Sequence, residues 1–94
     1  MGKMTLRVFT HPACSECAPA VEMAWKLSNS HDNLNLETVK LEKKEGLIKA
    51  QNVGIKTIPT LIFYKGEEEL KRIIGLPEKV QLENSFQKLS DSKQ

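Results

Sequence analysis

Cys14 and Cys17 are the only cysteines among 94 residues, and they stand three apart in Cys14-Ser15-Glu16-Cys17. Two thiols at that spacing in the first turn of a helix lie within disulfide reach, so a bond between them opens and closes with little backbone movement. The first of them then sits near unpaired helix N–H groups and the positive end of the macrodipole, which favour a thiolate over a thiol. The chemistry this points to is thiol-disulfide exchange, with nucleophile and resolving partner in one motif. Two other classes compete. One is a metal or iron-sulfur carrier, although a zinc site would need further ligands and the histidines on offer are His11 and His31. The other is a non-catalytic module that uses the pair as a redox sensor.

The elements around the motif must place it. Leu6, Val8 and Phe9 predict a largely buried strand from about Met4 to Phe9, stopped at His11-Pro12 because proline donates nothing to a ladder. From Ser15 to about Ser28, Cys17, Ala20, Val21, Ala24 and Leu27 recur at helical spacing, with Glu22 and Lys26 as an i,i+4 pair outside. Met23 and Trp25 read as packing groups. Pro19, about a turn into that helix, predicts a carbonyl near Ser15 without its donor and a local bend. A polar cluster over Ser28-Asn33 is a turn, and Leu34 to Leu41 is strand-like, with a phase slip between Leu36 and Val39.

A short helix fits Lys44 to Asn52, carrying Leu47, Ile48 and Ala50, with Gly54 as its left-handed C-terminal residue and Gly46 against it. Thr60 to Tyr64 is too apolar for the surface and reads as a central strand covered on both faces. Lys65-Gly66-Glu67 turns it into a hairpin with Leu70 to Ile74. Pro77 at the first position opens a last helix with Leu82, Phe86 and Leu89 on one face, and Ser90 to Gln94 is a polar tail expected to fray. The order is β-α-β-α-β-β-α. In its first unit the strands should be parallel with a right-handed crossover, so the junction holding Cys14 falls at the carboxyl edge of the sheet, where reaction sites of open α/β sheets gather.

Composition narrows the field. A hydrophobic content of 39% with 28% charged residues is ordinary for a soluble globular protein, and no stretch of about 18 apolar residues offers a membrane anchor. The net charge of +2 is weak and its Lys and Arg are scattered, which argues against nucleic acid as a partner. Met1 to Thr5 runs into the first strand without a secretory pattern, so the expected location is cytoplasmic. In that reducing compartment a lone cysteine pair reads as catalytic, sensing or metal-bound rather than as a permanent staple.

A second motif, Val53-Gly54-Ile55-Lys56-Thr57-Ile58-Pro59-Thr60, follows the cysteine pair in the order seen in one family. With the element order, the two motifs make the chain resemble the thioredoxin superfamily over nearly its whole length. The short first half resembles glutaredoxins and the small archaeal and bacterial proteins that combine glutaredoxin size with thioredoxin behaviour. The second half, with Ile58-Pro59-Thr60 and Gly75, resembles thioredoxin. This resemblance implies an α/β thioredoxin fold, a four-stranded mixed sheet flanked by helices, as one domain over residues 1–94. It implies a cis Ile58–Pro59 bond beside the cysteines and a substrate-binding edge made by Thr57, Ile58, Pro59 and Gly75, with Ser15, Glu16 and His11 modulating the thiols.

The implied function is a dithiol-disulfide oxidoreductase that reduces protein disulfides, Cys14 attacking and Cys17 resolving, in electron transport and cell redox homeostasis. It is expected to be a monomer that uses no cofactor or metal and is recharged by an upstream reductase or a small-molecule thiol. Three departures from the family pattern qualify it. Val8 stands where thioredoxins bury an aspartate, Ser15-Glu16 replaces the usual pair between the cysteines, and Gly75-Leu76-Pro77-Glu78 lacks the glutathione-binding pattern of glutaredoxins. Tryptophan, which thioredoxins carry immediately before the first cysteine, is replaced there by Ala13.

Overall fold

A computed structural model describes residues 3–91. Seven elements follow one another: β1 (Met4–Thr10), α1 (Cys17–Asn29), β2 (Leu34–Lys40), α2 (Lys44–Asn52), β3 (Thr60–Lys65), β4 (Glu68–Ile74) and α3 (Lys79–Asp91). The strands form one mixed sheet in the order β2-β1-β3-β4, with β1 parallel to β2 and antiparallel to β3, and β3 antiparallel to β4.

Strand alternation explains what each face receives. From β1, Leu6 and Val8 point to one side and Phe9 to the other, and from β3, Leu61 and Phe63 oppose Ile62 and Tyr64. β3 is therefore apolar from Leu61 to Tyr64, as two-sided burial requires, while β1 sets the half-buried Arg7 among its apolar residues. The phase slip in β2 has the same cause. Leu34 and Leu36 belong to the core under α1 and α3, whereas Val39 and Leu41 belong to the core under α2, so the strand is regular and serves two cores in turn. Edge strand β4 carries Glu68, Glu69 and Lys71 exposed, which discourages pairing with other chains.

α1 and α3 begin later than the sequence reading places them, whereas α2 spans Lys44–Asn52 as expected. α1 starts at Cys17, not Ser15, so Cys14 lies in the loop before the helix instead of in its first turn. Pro19 is then the third helical residue, where its missing N–H is one of the four that have no intrahelical partner, and the expected bend loses its cause. Buried Cys17, Ala20, Ala24 and Leu27 make the stripe that meets the sheet. At the other end the hydroxyls of Ser28 and Ser30 donate to the carbonyls of Trp25 and Lys26, and the Ser30 N–H also donates to the Lys26 carbonyl, so that Ser30 closes the last turn.

In α2, Gly46 and Ala50 are buried, whereas Leu47 and Ile48 point outward. Gly46 is needed there. A Cβ on it would stand 1.9 Å from the Lys40 carbonyl oxygen, so the helix can approach the end of β2 only without a side chain at this position. Gly54 takes φ 72° after the helix, as expected of its left-handed C-terminal residue.

The β3–β4 turn is a two-residue loop with Gly66 at φ 62°, and a bulge interrupts the ladder between Phe63 and Tyr64. α3 begins at Lys79, two residues beyond Pro77, its first bond running from the Leu82 N–H to the Glu78 carbonyl. Leu82 and Phe86 are buried and Leu89 packs against them. The helix continues through Ser90 to Asp91, and the rest of the tail expected to fray, 92–94, lies outside the described residues. Among the described residues no helix is long and apolar enough to cross a membrane.

Candidate active site

Strand register brings three loops to one end of the sheet. Phe9 near the end of β1 faces Thr60 at the start of β3, and Thr60 faces Ile74 at the end of β4. The loop after β1, the loop before β3 and the residue after β4 are thus neighbours because antiparallel pairing places the end of one strand beside the start of the next. These loops carry Cys14, Ile58-Pro59 and Gly75. The Gly75 N–H donates to the Pro59 carbonyl at 2.8 Å, with Gly75 at φ 89°, and the Ile58–Pro59 peptide bond is cis.

The cysteine loop is tied by short-range bonds. The Cys14 N–H donates to the His11 carbonyl at 3.0 Å, the Ala13 N–H donates to His11 Nδ1 at 3.1 Å, and the Cys17 N–H donates to the Cys14 carbonyl at 3.3 Å. This curl carries Cys14 up to the helix start, where it is joined to Cys17 in a disulfide with the two Cα atoms 5.5 Å apart. The two sulfur-bearing residues differ in access. Cys14 is half-buried, while Cys17 is 4% exposed. Val8, in the same core as α1, is fully buried and supplies no carboxyl group behind them.

Two hollows meet at Cys14. One, of about 370 Å³, is lined by Ala13, Cys14, Ser15, Glu16 and Ile58. The other is a groove of about 670 Å³ containing both cysteines, His11 and Pro12, and it runs along α1 past Val21 to Trp25. A third hollow, between α1 and α3, holds no cysteine.

Of the site residues expected from the sequence, Cys14, Cys17, Ser15, Glu16, His11 and Ile58 come together around these hollows. Pro59 is buried beneath Ile58's loop and reaches Gly75 through its carbonyl. Thr57 lines neither hollow, and its carbonyl accepts a hydrogen bond from the Thr60 hydroxyl. Neither the N–H nor the C=O of Ile58 has a hydrogen-bond partner among the described residues. Glu16 is exposed just before α1 and its carboxylate makes no capping bond.

Trp25 corrects the sequence reading. It is 55% exposed and lines the groove, although Met23 beside it does pack against the core. The signal for Trp25 was its spacing, four residues after Val21, which puts it one turn further along the same flank of the helix. Among the described residues no three His, Cys, Asp or Glu side chains gather as a metal-binding group.

Comparison with known proteins supports the same chemistry. The thioredoxin family model matches residues 2–88. The chain is 28% identical over 80 residues to thioredoxin of Synechocystis sp., covering 85% of this chain and 74% of that protein. It is 25% identical over the same shares to thioredoxin 1 of Nostoc sp.. Among solved structures, oxidised thioredoxin O2 of Arabidopsis thaliana superposes with a TM-score of 0.82 at 22% identity, over 94% of this chain and 76% of that one. These relations do not favour a metal carrier or a non-catalytic sensor. With a family match across nearly its length and a cysteine pair at bonding distance, the chain belongs to the thioredoxin family and is a dithiol-disulfide oxidoreductase.

Proposed function

We propose that this oxidoreductase works as a reductant of protein disulfides, with Cys14 as the nucleophile and Cys17 as the resolving thiol. The observation that carries the reading is the difference in access between the two. The greater exposure of Cys14 supports its meeting the visiting disulfide, and the burial of Cys17 at the start of α1 supports its acting second, on Cys14.

In the reduced enzyme the Cys14 thiolate attacks one sulfur of the partner's disulfide, and the other sulfur leaves as a thiolate that takes a proton. Cys17 then loses its proton to water, since Val8 offers no base, and attacks Cys14 Sγ. The partner's remaining sulfur leaves and is protonated. Two electrons have passed to the partner, and the enzyme is left with the Cys14–Cys17 bond seen here. Holding Cys17 three residues away makes the second attack intramolecular, with a large effective concentration. An upstream reductase or a small thiol returns the electrons.

Docking rests on the unpaired backbone of Ile58. An extended segment of the partner pairs with it in the manner of an added strand, between the loops of Thr57, Pro59 and Gly75, which serves many sequences because main-chain groups carry the contact. Ser15, Glu16 and His11 surround Cys14 and tune its thiolate. A monomeric single domain in the cytoplasm goes with this reading, because a lone reactive pair suits a reducing compartment.

The test is asymmetric. With insulin and excess dithiol, Cys14→Ser should lose turnover entirely, whereas Cys17→Ser should also stop but accumulate a mixed disulfide with its partner. Trapping by Cys14→Ser in place of Cys17→Ser would reverse the roles.

A further inference from the structure

Trp25 is the one large aromatic side chain of α1, the chain's only tryptophan, and it stands more than half exposed in a groove that includes both cysteines. The proposed reaction makes no use of it. Along α1 the groove follows Cys17, Ala18, Val21 and Trp25, so its floor is apolar, while Glu22, Lys40 and Glu42 border it. It meets the Ile58 hollow at Cys14, and the two together make a continuous surface on either side of the reactive sulfur.

We infer that Trp25 is a specificity-determining residue: it receives an apolar side chain of the disulfide-bearing polypeptide, three or four residues away from the cysteine being reduced. This rests on the protein-disulfide reading above. The spacing comes from the helix. Eight residues separate Cys17 from Trp25, about 12 Å of rise along α1. An extended chain covers about 3.3 Å per residue, so a segment whose cysteine is at Cys14 places a side chain over the indole three or four residues on. The indole offers a broad rigid face at small cost in side-chain entropy, and its contacts with an aliphatic or aromatic group are strongest where the groove excludes water. The Ile58 backbone accepts any sequence, whereas the groove distinguishes among sequences.

The sole tryptophan is also the reporter. A peptide carrying one cysteine, with Phe four residues away on each side, is joined to Cys14 of the Cys17→Ser variant through an activated disulfide, Cys14 displacing thionitrobenzoate from the peptide's sulfur. A second peptide has Ser in place of both Phe residues. The Phe peptide should shift Trp25 emission to shorter wavelength and lower its quenching by acrylamide about twofold, and the Ser peptide should do neither. In turnover assays of disulfide-linked forms of the same peptides, Trp25→Ala should raise KM for the Phe peptide about tenfold with kcat little changed, Trp25→Phe should recover most of that loss, and the Ser peptide should be indifferent.

Equal quenching with both peptides would overturn the assignment, as would a Trp25→Ala loss shared by both peptides and by a small aromatic disulfide. Because the peptide is attached chemically, the fluorescence reads the groove independently of turnover. Wild-type enzyme that reduced small disulfides but no peptide disulfide would instead sink the protein-reductase reading, with the quenching result still standing.

Discussion

The two faces of the sheet are covered by different means. On one, α1 and α3 lie over Leu6, Val8, Leu61 and Phe63, and among the described residues twelve buried apolar side chains form a single cluster. On the other, the nine-residue α2 covers only Phe9, Val39, Ile62 and Tyr64, and long charged side chains complete the cover. Arg7 lies over the Tyr64 ring at 4.4 Å, and Glu37 accepts hydrogen bonds of 2.8 Å from both Arg7 and Lys49, so that β1, β2 and α2 share one carboxylate. Arg72 reaches the Val53 carbonyl at 2.9 Å and pairs with Glu69. A short helix cannot hide half of a four-stranded sheet, and the aliphatic stems of Arg and Lys bury apolar surface while their charges stay wet. The reactive end is where both faces meet: Cys17 extends the α1 stripe, and Ile58 packs at the margin of the α2 cluster.

The comparison can be broken most severely on the two-helix face. Phe86 is buried, sits near Phe63, and meets the His31 ring in a tilted contact with centroids 4.5 Å apart. Phe86→Ala should cost about 3 to 5 kcal/mol in urea unfolding, a large part of the total for a chain of this size. A loss under about 1.5 kcal/mol would mean that this cluster is not the main source of stability.

Gly46→Ala is the next largest and tests the α2 face. Helix propensity alone predicts a gain of about 1 kcal/mol, but the new methyl group would meet the Lys40 carbonyl and push α2 off the sheet. The expected result is a net loss of about 1 to 3 kcal/mol with lower amide protection in α2. A more stable variant would show that the close approach is dispensable.

Glu37→Gln should cost about 1 kcal/mol, since its pairs are partly exposed and solvent weakens them. Its pH dependence has a definite sign. Partial burial pushes the Glu37 carboxyl up, but hydrogen bonds from Lys49 and Arg7 outweigh this and hold it below the usual carboxylate range. A carboxylate whose pKa is lowered by folding stabilises the fold above its unfolded value and loses that contribution as pH falls through the lower, folded one. Wild type and Glu37→Gln should therefore differ at neutral pH and converge in acid. Divergence toward acid would contradict the arrangement.

The smallest effect is expected from Tyr64→Phe. The Tyr64 hydroxyl is buried with no hydrogen-bond partner among the described residues, so removing it should change stability by less than about 0.5 kcal/mol in either direction. A loss above about 1.5 kcal/mol would reveal a bond from Arg7 or a bound water that the hydroxyl needs.

Patterns that depend on neighbouring residues were legible before folding. The range of α2, the hairpin at Gly66 and the apolar β3 follow from periodicity and turn chemistry, and the cysteine pair taken with Ile58-Pro59-Thr60 pointed to the reaction. Helix starts were less so. Nothing local distinguishes Ser15 from Cys17 as a first residue, because the curl at His11 to Cys14 forms through bonds whose partners look like ordinary loop residues. Trp25 was misread for a related reason: helical periodicity marks it as near the apolar stripe, while its exposure depends on whether another element covers that flank, and among the described residues it stays 55% exposed.

By itself, then, the chain determined the kind of chemistry and the series of elements, because thiol spacing and side-chain period act over a few residues. The difference in exposure between Cys14 and Cys17 was decided only in three dimensions. So were the approach of Ile58 to Cys14, the bond from Gly75 to Pro59 and the need for glycine at position 46. Each depends on strand register between segments far apart in sequence, and register is set by how two apolar faces are buried at once.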